Sequence, residues 1–426
     1  MARSALPPHA VADLSLAPAG ADRIAWAAGQ MPVLAQVAER FQAERPLSGI
    51  RIAACLHVTA ETANLLRGLR LAGAEVALCS ANPLATQDEV AAALVAQHGV
   101  EVYARRGEGL DAYQQHIASL IEAAEPDLPW VTIDDGADLV VGAHEADTPA
   151  LASLLGGTEE TATGLLRLRR LDQQSGLRCP VLAVNEARTE RALNDRHGTG
   201  QSALDGIVRA SNVLLAGHTV VVIGYGWAGL GVAERARGAG AMVIVCEVEP
   251  LRALEARMAG YEVMPALEAA GRGDIFITVT GSRRVLRAEH FERMKDGALL
   301  ANAGHFDVEI DLEELGAVAE GPPRQVRPLV EQYKLVDGRR LNLLARGRVV
   351  NLAAAEGHPA AVMDVSFALQ ALSVEAIVSD RARFAPGVQP VPAEIDREVG
   401  RLKLAALGVA IDEPTPEQCD YRQSWT

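Results

Sequence analysis

The run VNEARTERALNDRHGTGQS, positions 184–202, gathers Glu186, Arg188, Glu190, Arg191, Asp195, Arg196 and His197 into one short stretch. Carboxylates, guanidinium groups and an imidazole at this density can move protons or grip a polar ligand. They can equally be the solvated hinge between two domains. A second constellation is more specific. VVVIGYGWAGLGVAERARGAGAMVIVCEVEP places Gly224, Gly226 and Gly229 as G-x-G-x-x-G directly after a strand pattern and at the opening of a helix. The first glycine permits a tight turn, the second lets backbone N–H groups approach a pyrophosphate, and the third lets helix and sheet pack closely. The helix N-terminus adds partial positive charge. Glu247 ends the next strand about 20 residues on, where a carboxylate accepts from ribose hydroxyls. An acid there disfavours a 2′-phosphate, so NAD is expected rather than NADP. The alternative, a glycine turn without a ligand, is disfavoured by the strand–turn–helix context.

These groups must be held by a scaffold, and alternating strand and helix signals run along the chain. GIRIAACLH, EVALCS, PWVTIDDG, LVVGAHE and CPVLAV read as buried strands, with ETANLLRGLRLAGA and QDEVAAALVAQHG as helices between them. A second series starts at HTVVVIG and continues through AMVIVCE, DIFITVT and GALLANAG. This pattern predicts an α/β protein with two doubly wound, parallel-sheet (Rossmann-like) domains and a cleft between them. AEGPPRQVRP reads as a surface connection and DGRRLNLLARGRVVN as a hairpin closing the second domain. The expected division is a substrate-binding domain from 1–190 and 355–400, an NAD-binding domain from 191–354, and a C-terminal tail from 401–426.

At 426 residues the chain is too long for one core, and 49% apolar with 22% charged residues describes a globular protein. A formal charge of −15 argues against non-specific nucleic-acid binding. No apolar run reads as approaching the ~20 residues that span a bilayer, so no membrane partner is expected. The first residues lack the apolar core of a signal peptide, which makes the cytoplasm the expected compartment. Cys55, Cys79, Cys179, Cys246 and Cys419 form no CxxC pair and are expected as free thiols, with no metal site. Basic residues are nearly all arginine; the lysines are Lys295, Lys334 and Lys403.

CLHVTAETANL, NPLATQDEVAAAL, TIDDGADL, GGTEETATG, NAGHFDVEID and VNLAAAEGHPAAVMDVSF together resemble the adenosylhomocysteinase family, over a span from about Pro32 to the tail LGVAIDEPTPEQCDYRQSW. The tail resembles the shorter bacterial and archaeal type. The resemblance implies tightly bound NAD that oxidises the 3′-hydroxyl of an adenine nucleoside and so acidifies the C4′ proton. A base then removes that proton, and a group leaves from C5′. It places His57 and Asp135 at the acid–base positions near C4′ and C5′, and His305 close to both cofactor and ribose. Thr59, Glu61 and Glu160 correspond to nucleoside contacts, and His358, Met363 and Phe367 to the adenine pocket. Thr161, Thr163 and Asn351 correspond to nicotinamide-side contacts, and Trp227, Ala228, Arg252, Thr280, Ala303 and Gly304 to further cofactor contacts. A homotetramer is also implied.

One departure stands out. In the family the segment after the strand ending VN carries a lysine and, four residues later, an aspartate followed by an asparagine; these address the sugar hydroxyls. Here those positions hold Glu190, Asn194 and Asp195. The three lysines lie outside the substrate motifs, and arginine is too basic to shuttle a proton. Glu190 is therefore expected as the base for the 3′-hydroxyl, with Asn194 and Asp195 recognising the sugar hydroxyls, unless it is a plain surface residue of a degenerate enzyme. The rearrangement suggests a changed outcome: loss of water from a 5′-hydroxyl to give a 4′,5′-ene, as in converting angustmycin C to angustmycin A. The alternatives are a genuine adenosylhomocysteinase that tolerates the exchange and a non-catalytic NAD-binding regulator.

Overall fold

The computed structural model describes residues 7–147 and 149–424. The chain builds two sheets in succession. Strands β1 (His9–Ala10), β2 (Arg51–Leu56), β3 (Glu75–Ser80), β4 (Glu101–Tyr103), β5 (Trp130–Asp134), β6 (Leu154–Glu159) and β7 (Pro180–Ala183) belong to the first. Strands β8 (Thr219–Ile223), β9 (Met242–Cys246), β10 (Glu262–Val263), β11 (Ile275–Thr278), β12 (Leu299–Asn302), β13 (Arg324–Arg327), β14 (Val330–Lys334) and β15 (Arg340–Leu344) form the second. The chain then returns, and β16 (Gly387–Pro390) pairs in parallel with β7 at the edge of the first sheet.

The first sheet runs β1-β4-β3-β2-β5-β6-β7-β16, and every pairing in it is parallel. The second runs β10-β9-β8-β11-β12-β15-β14-β13, parallel except where β14 pairs with β13 and β15. Strands covered by helices on both faces are apolar throughout, and β2 and β5 are buried at every residue. In each sheet the winding reverses once, between β2 and β5 and between β8 and β11. Connections diverge from such a switch point and leave a crevice beyond the carboxyl ends of the strands. The segments following those four strands carry His57, Asp135, the Gly224 turn and Thr280. The two sheets are linked by an unbroken helical run through Arg188–Glu190, Arg191–Thr199 and Gly200–Ser211.

Three local expectations are corrected. LVVGAHE lies in the helix Asp138–Ala146. Its β-branched residues favour a strand, but the buried Asp134 carboxylate accepts from the N–H groups of Leu139 (3.0 Å) and Val140 (3.1 Å) and fixes a helical first turn. AEGPPRQVRP contains an edge strand, β13. In DGRRLNLLARGRVVN only β15 is a hairpin arm, paired back to β14, and the rest forms a turn and the short helix Val350–Ala353.

The apolar span also needs correction. The helix Ala360–Ser379 has 20 residues and a mean hydropathy of 1.6 over its most apolar window, and so is long and apolar enough to cross a membrane. Here 67% of that window is buried inside the protein, in the core beside β2 and β6. The five cysteines are free thiols; four are buried.

Candidate active site

A cleft of about 480 Å³ opens where the carboxyl ends of both sheets meet. His57 enters it just beyond β2 and Asp135 just beyond β5, with His57 Nε2 3.2 Å from Asp135 Oδ2. His305 arrives from the opposite sheet, on the loop after β12, its Nδ1 3.8 Å from Asp135 Oδ1. Asn302 anchors that loop, donating from Nδ2 to the carbonyls of Gly304 and Phe306 and accepting from the Gly304 N–H. Gly136 has φ +118°, and a Cβ there would lie 3.3 Å from His305 Nε2, so only glycine lets the two loops close.

Burial lowers the His57 pKa; Asp135 opposes this and His305 reinforces it. At neutral pH His57 is therefore uncharged and able to accept a proton. Its Nδ1 is buried without a hydrogen-bond partner among the described residues, as is Asp135 Oδ1. The ligand atoms of His57, Asp135 and His305 all lie within 4.8 Å of one another, close enough to hold a metal ion as well as to pass a proton.

The polar run forms the cleft's second wall. Asp396 caps the short helix Arg188–Glu190, accepting from the N–H groups of Arg188 (2.9 Å) and Thr189 (3.1 Å). The chain then winds as a π-helix over Arg191–Thr199. Such wide turns shift side chains out of α register and recur at functional sites. Asn194 and Asp195 line the cleft together with Glu160.

Glu190, 1% exposed, is not on that wall but behind it. Ser366 Oγ donates to Glu190 Oε2 at 2.6 Å, and Asn194 Nδ2 donates to Ser366 Oγ at 2.8 Å. Gln370 Nε2 donates to Glu160 Oε2 at 2.5 Å. Burial pushes Glu160 up to about 8, with Gln370 opposing and Asp135 adding. Burial and then Glu160 raise Glu190 well above the carboxylate range. Burial brings Asp195 to about 6 against the pull of Arg191. None of the three lysines reaches the cleft: Lys295 pairs with Asp274, Lys334 with Glu320 and Lys403 with Asp364.

The remaining substrate-side residues group at one end. Thr59 caps the helix Ala60–Leu71, and Glu61 lies in that helix's first turn. They line the cleft with His358, Met363 and Phe367. Burial, then the neighbouring His57, holds His358 down to about 4, so it presents a neutral ring whose Nε2 lies 3.3 Å from Thr199 Oγ1.

On the other sheet Gly224 has φ +101°, and a Cβ there would stand 2.7 Å from the Val279 carbonyl oxygen. Gly226 caps the helix Trp227–Gly238 with no side-chain hydrogen bond, leaving the N-terminal N–H groups to a ligand. Glu247 accepts from the N–H groups of Tyr225 (2.7 Å), Val248 (2.7 Å) and Glu249 (2.9 Å), which holds its carboxylate at the turn.

Trp227, Ala228, Gly229, Arg252, Thr280, Ala303 and Gly304 line the cleft, as do Thr163 and Asn351. Asn351 Nδ2 donates to Ser202 Oγ, and its buried Oδ1 has no partner among the described residues, so it is an acceptor suited to a carboxamide N–H. Thr161 also lines the cleft, but its hydroxyl donates to Glu159 and accepts from Gly164 as a helix cap, so it is already committed. The glycine turn, the open helix N-terminus, the acid after β9 and the orphaned Asn351 oxygen together fit a dinucleotide.

Sequence reasoning overlooked the residues that hold these groups. Glu309, 1% exposed, accepts from the N–H groups of Thr280 and Gly281 and from the Thr280 hydroxyl. Glu159 does the same for Gly136 and Thr161. Ser366 and Gln370 are fully buried polar residues, four apart in an apolar helix. That pattern was the visible signal, since buried polar groups are normally paired.

The family model described as S-adenosyl-L-homocysteine hydrolase matches residues 8–155, and the one described as its NAD binding domain matches residues 195–357. The chain is similar to the adenosylhomocysteinase of Aquifex aeolicus, at 57% identity covering 97% of this chain and 98% of the relative. The adenosylhomocysteinase of Thermosynechococcus vestitus is 52% identical, covering 98% and 96% respectively. The S-inosyl-L-homocysteine hydrolase of Methanopyrus kandleri is 53% identical, covering 98% and 97%.

Proposed function

The chain belongs to the S-adenosyl-L-homocysteine hydrolase family and takes NAD as its cofactor, and from that premise we propose that it oxidises an adenine nucleoside at C3′, eliminates a group from C5′ and reduces C3′ again. The observation that carries this reading is the facing of His57 and Asp135 on one sheet with His305 and the glycine turn on the other, across a single cleft. NAD, when bound, supplies the hydride acceptor and donor at C3′.

The remaining work falls to this chain's side chains. Glu160 faces the sugar hydroxyls and takes the 3′-hydroxyl proton. The neutral His57 accepts the C4′ proton, and Asp135 holds that ring in position while the C5′ group departs. Glu61 and His358 address the base.

Two outcomes at C5′ are supported by different observations. Full-length similarity to relatives named adenosylhomocysteinase favours, most simply, cleavage of S-adenosylhomocysteine to adenosine and homocysteine, with one water adding across the C4′=C5′ bond before C3′ is reduced. A second reading, loss of water from a 5′-hydroxyl to leave a 4′,5′-ene, is favoured by one feature. The wall that the resemblance furnishes with a lysine holds Glu160, Asn194 and Asp195 in front of Glu190, with no lysine in the cleft. That exchange changes which sugar substituents fit. Incubating the NAD-bound protein with S-adenosylhomocysteine plus a thiol reagent, and separately with angustmycin C plus mass spectrometry, decides between them. Thiol release supports hydrolysis, a product lighter by one water supports dehydration, and neither, with no change in bound NAD, overturns the shared chemistry.

A further inference from the structure

The two glutamates of the second wall sit together without a cation. Ser366 and Gln370, one turn apart on the helix Ala360–Ser379, hold Glu190 and Glu160 side by side, both buried. Each spends one oxygen on a fixed donor, Glu160 Oε2 on Gln370 and Glu190 Oε2 on Ser366. The Ser366 hydroxyl has no freedom to turn round, because Asn194 Nδ2 already donates into its oxygen and its own hydrogen must go outward to Glu190. The two remaining oxygens, Glu160 Oε1 and Glu190 Oε1, are buried and have no donor among the described residues. The charged groups that act most strongly on the pair are acidic: Asp195 on the π-helix, Asp135 beyond β5 and Asp396 on the helix Ala393–Ala406. The nearby cation Arg191 is drawn to Glu186 and Asp195. Two adjacent buried carboxylates in such a place cannot both be ionised, and their two free oxygens are the carboxylate atoms left to share a proton.

We propose that Glu160 and Glu190 form a carboxyl pair sharing one proton, with Glu160 exchanging the proton of the nucleoside's 3′-hydroxyl and Glu190 acting as the positioning residue behind it. When C3′ is oxidised, the O–H bond of the 3′-hydroxyl breaks, its proton passes to the pair, and the pair goes from singly to doubly protonated. The C3′ hydride leaves to bound NAD in the same step. On reduction the hydride returns to C3′ and the proton returns to the oxygen, so the pair ends as it began. The pair thus does with two acids what the family resemblance assigns to a lysine. The inference rests on the reading that the cleft oxidises a 3′-hydroxyl.

The test uses the full-length, NAD-bound protein and Glu190→Gln. The substituted amide keeps the shape, accepts from Ser366 through its carbonyl, and donates a hydrogen permanently to Glu160. Glu160 then needs no shared proton and ionises at lower pH. In infrared difference spectra of the resting protein at neutral pH, wild type minus E190Q is expected to show one protonated-carboxyl C=O band. In rapid mixing with adenosine, bound-NAD reduction, followed by NADH absorbance, is expected to rise with pH in wild type. The inflection should move about one pH unit or more towards acid in E190Q. Absence of the band, or a slower E190Q whose inflection stays where it was, overturns the pair. The infrared arm needs no turnover, so if adenosine is never oxidised the 3′-oxidation reading fails while the pair is still judged.

Discussion

Asp135 is the residue on which the two sheets converge, touching His57 from its own sheet and His305 from the other. Its placement separates two half-reactions: oxidation at C3′ needs the sugar wall, whereas elimination needs a correctly oriented His57. Asp135→Asn keeps the size but loses the charge that orients the ring. Bound NAD should still be reduced on mixing with a nucleoside substrate, while product formation falls by roughly 10²–10⁴-fold. Stopped-flow NADH absorbance set beside product yield checks this; equal loss in both would mean Asp135 serves the whole site. The expectation that Glu190 itself touches the sugar does not fit its position, since a side chain 1% exposed behind Ser366 acts through Glu160 or not at all.

Among the elements, the turn from β8 into the helix Trp227–Gly238 is the most constrained. Gly224 combines a left-handed φ of +101° with backbone 2.7 Å from where a Cβ would be, and a Cβ on Gly229 would meet the Gly224 carbonyl oxygen at 2.0 Å. Gly224→Ala therefore carries both backbone strain, on the order of 1–3 kcal/mol, and a forced shift of the Val279 strand end. The expected result is a folded protein with a lower melting temperature that no longer rises when NAD is added. A variant that retained the full NAD-induced rise would show that the turn does not hold the cofactor. The π-helical segment is constrained in a similar way: a Cβ on Gly231 would meet the Arg196 carbonyl oxygen at 1.8 Å, so the polar run is pressed against the cofactor helix.

For the whole molecule, the last helices are tied to the first core by one buried ion pair. Asp364, fully buried in the helix Ala360–Ser379, accepts from the Leu34 N–H (2.8 Å) and from Lys403 Nζ (2.8 Å). Lys403→Met strands that carboxylate, which costs about 3–5 kcal/mol at neutral pH. Burial already raises the Asp364 pKa, with Leu34 and Lys403 opposing, and losing Lys403 raises it further. For an acid whose folded pKa lies above its unfolded one, protonation favours the fold, so the variant's deficit should shrink as pH falls through that raised value. Chemical denaturation of both proteins at neutral and mildly acidic pH tests the sign; a deficit independent of pH would mean that the lysine acts by packing alone.

The sequence by itself determined what depends on local pattern. Alternating apolar strands and helices required a doubly wound α/β fold, because parallel strands covered on both faces have to be apolar throughout. Gly224, Gly226 and Gly229 with Glu247 marked a dinucleotide turn, because only glycine permits that backbone and only an acid suits that ribose. The resemblance then supplied His57, Asp135 and His305, residues far apart in the chain that no periodicity could have joined.

What the sequence left open depended on which distant groups meet. LVVGAHE became a helix because Asp134 capped it, and the apolar stretch 360–379 became a core helix because the first sheet and its helices closed around it. The run at 184–202 could have been hinge or site from its composition. Tertiary structure made it both the link between the sheets and a wall of the cleft, since Ser366 arrives from far along the chain to receive Glu190 as Gln370 receives Glu160. Whether a carboxylate is a solvated charge or half of a proton-sharing pair is set by what surrounds it after folding, because burial and neighbouring charge, not residue type, decide where its proton resides.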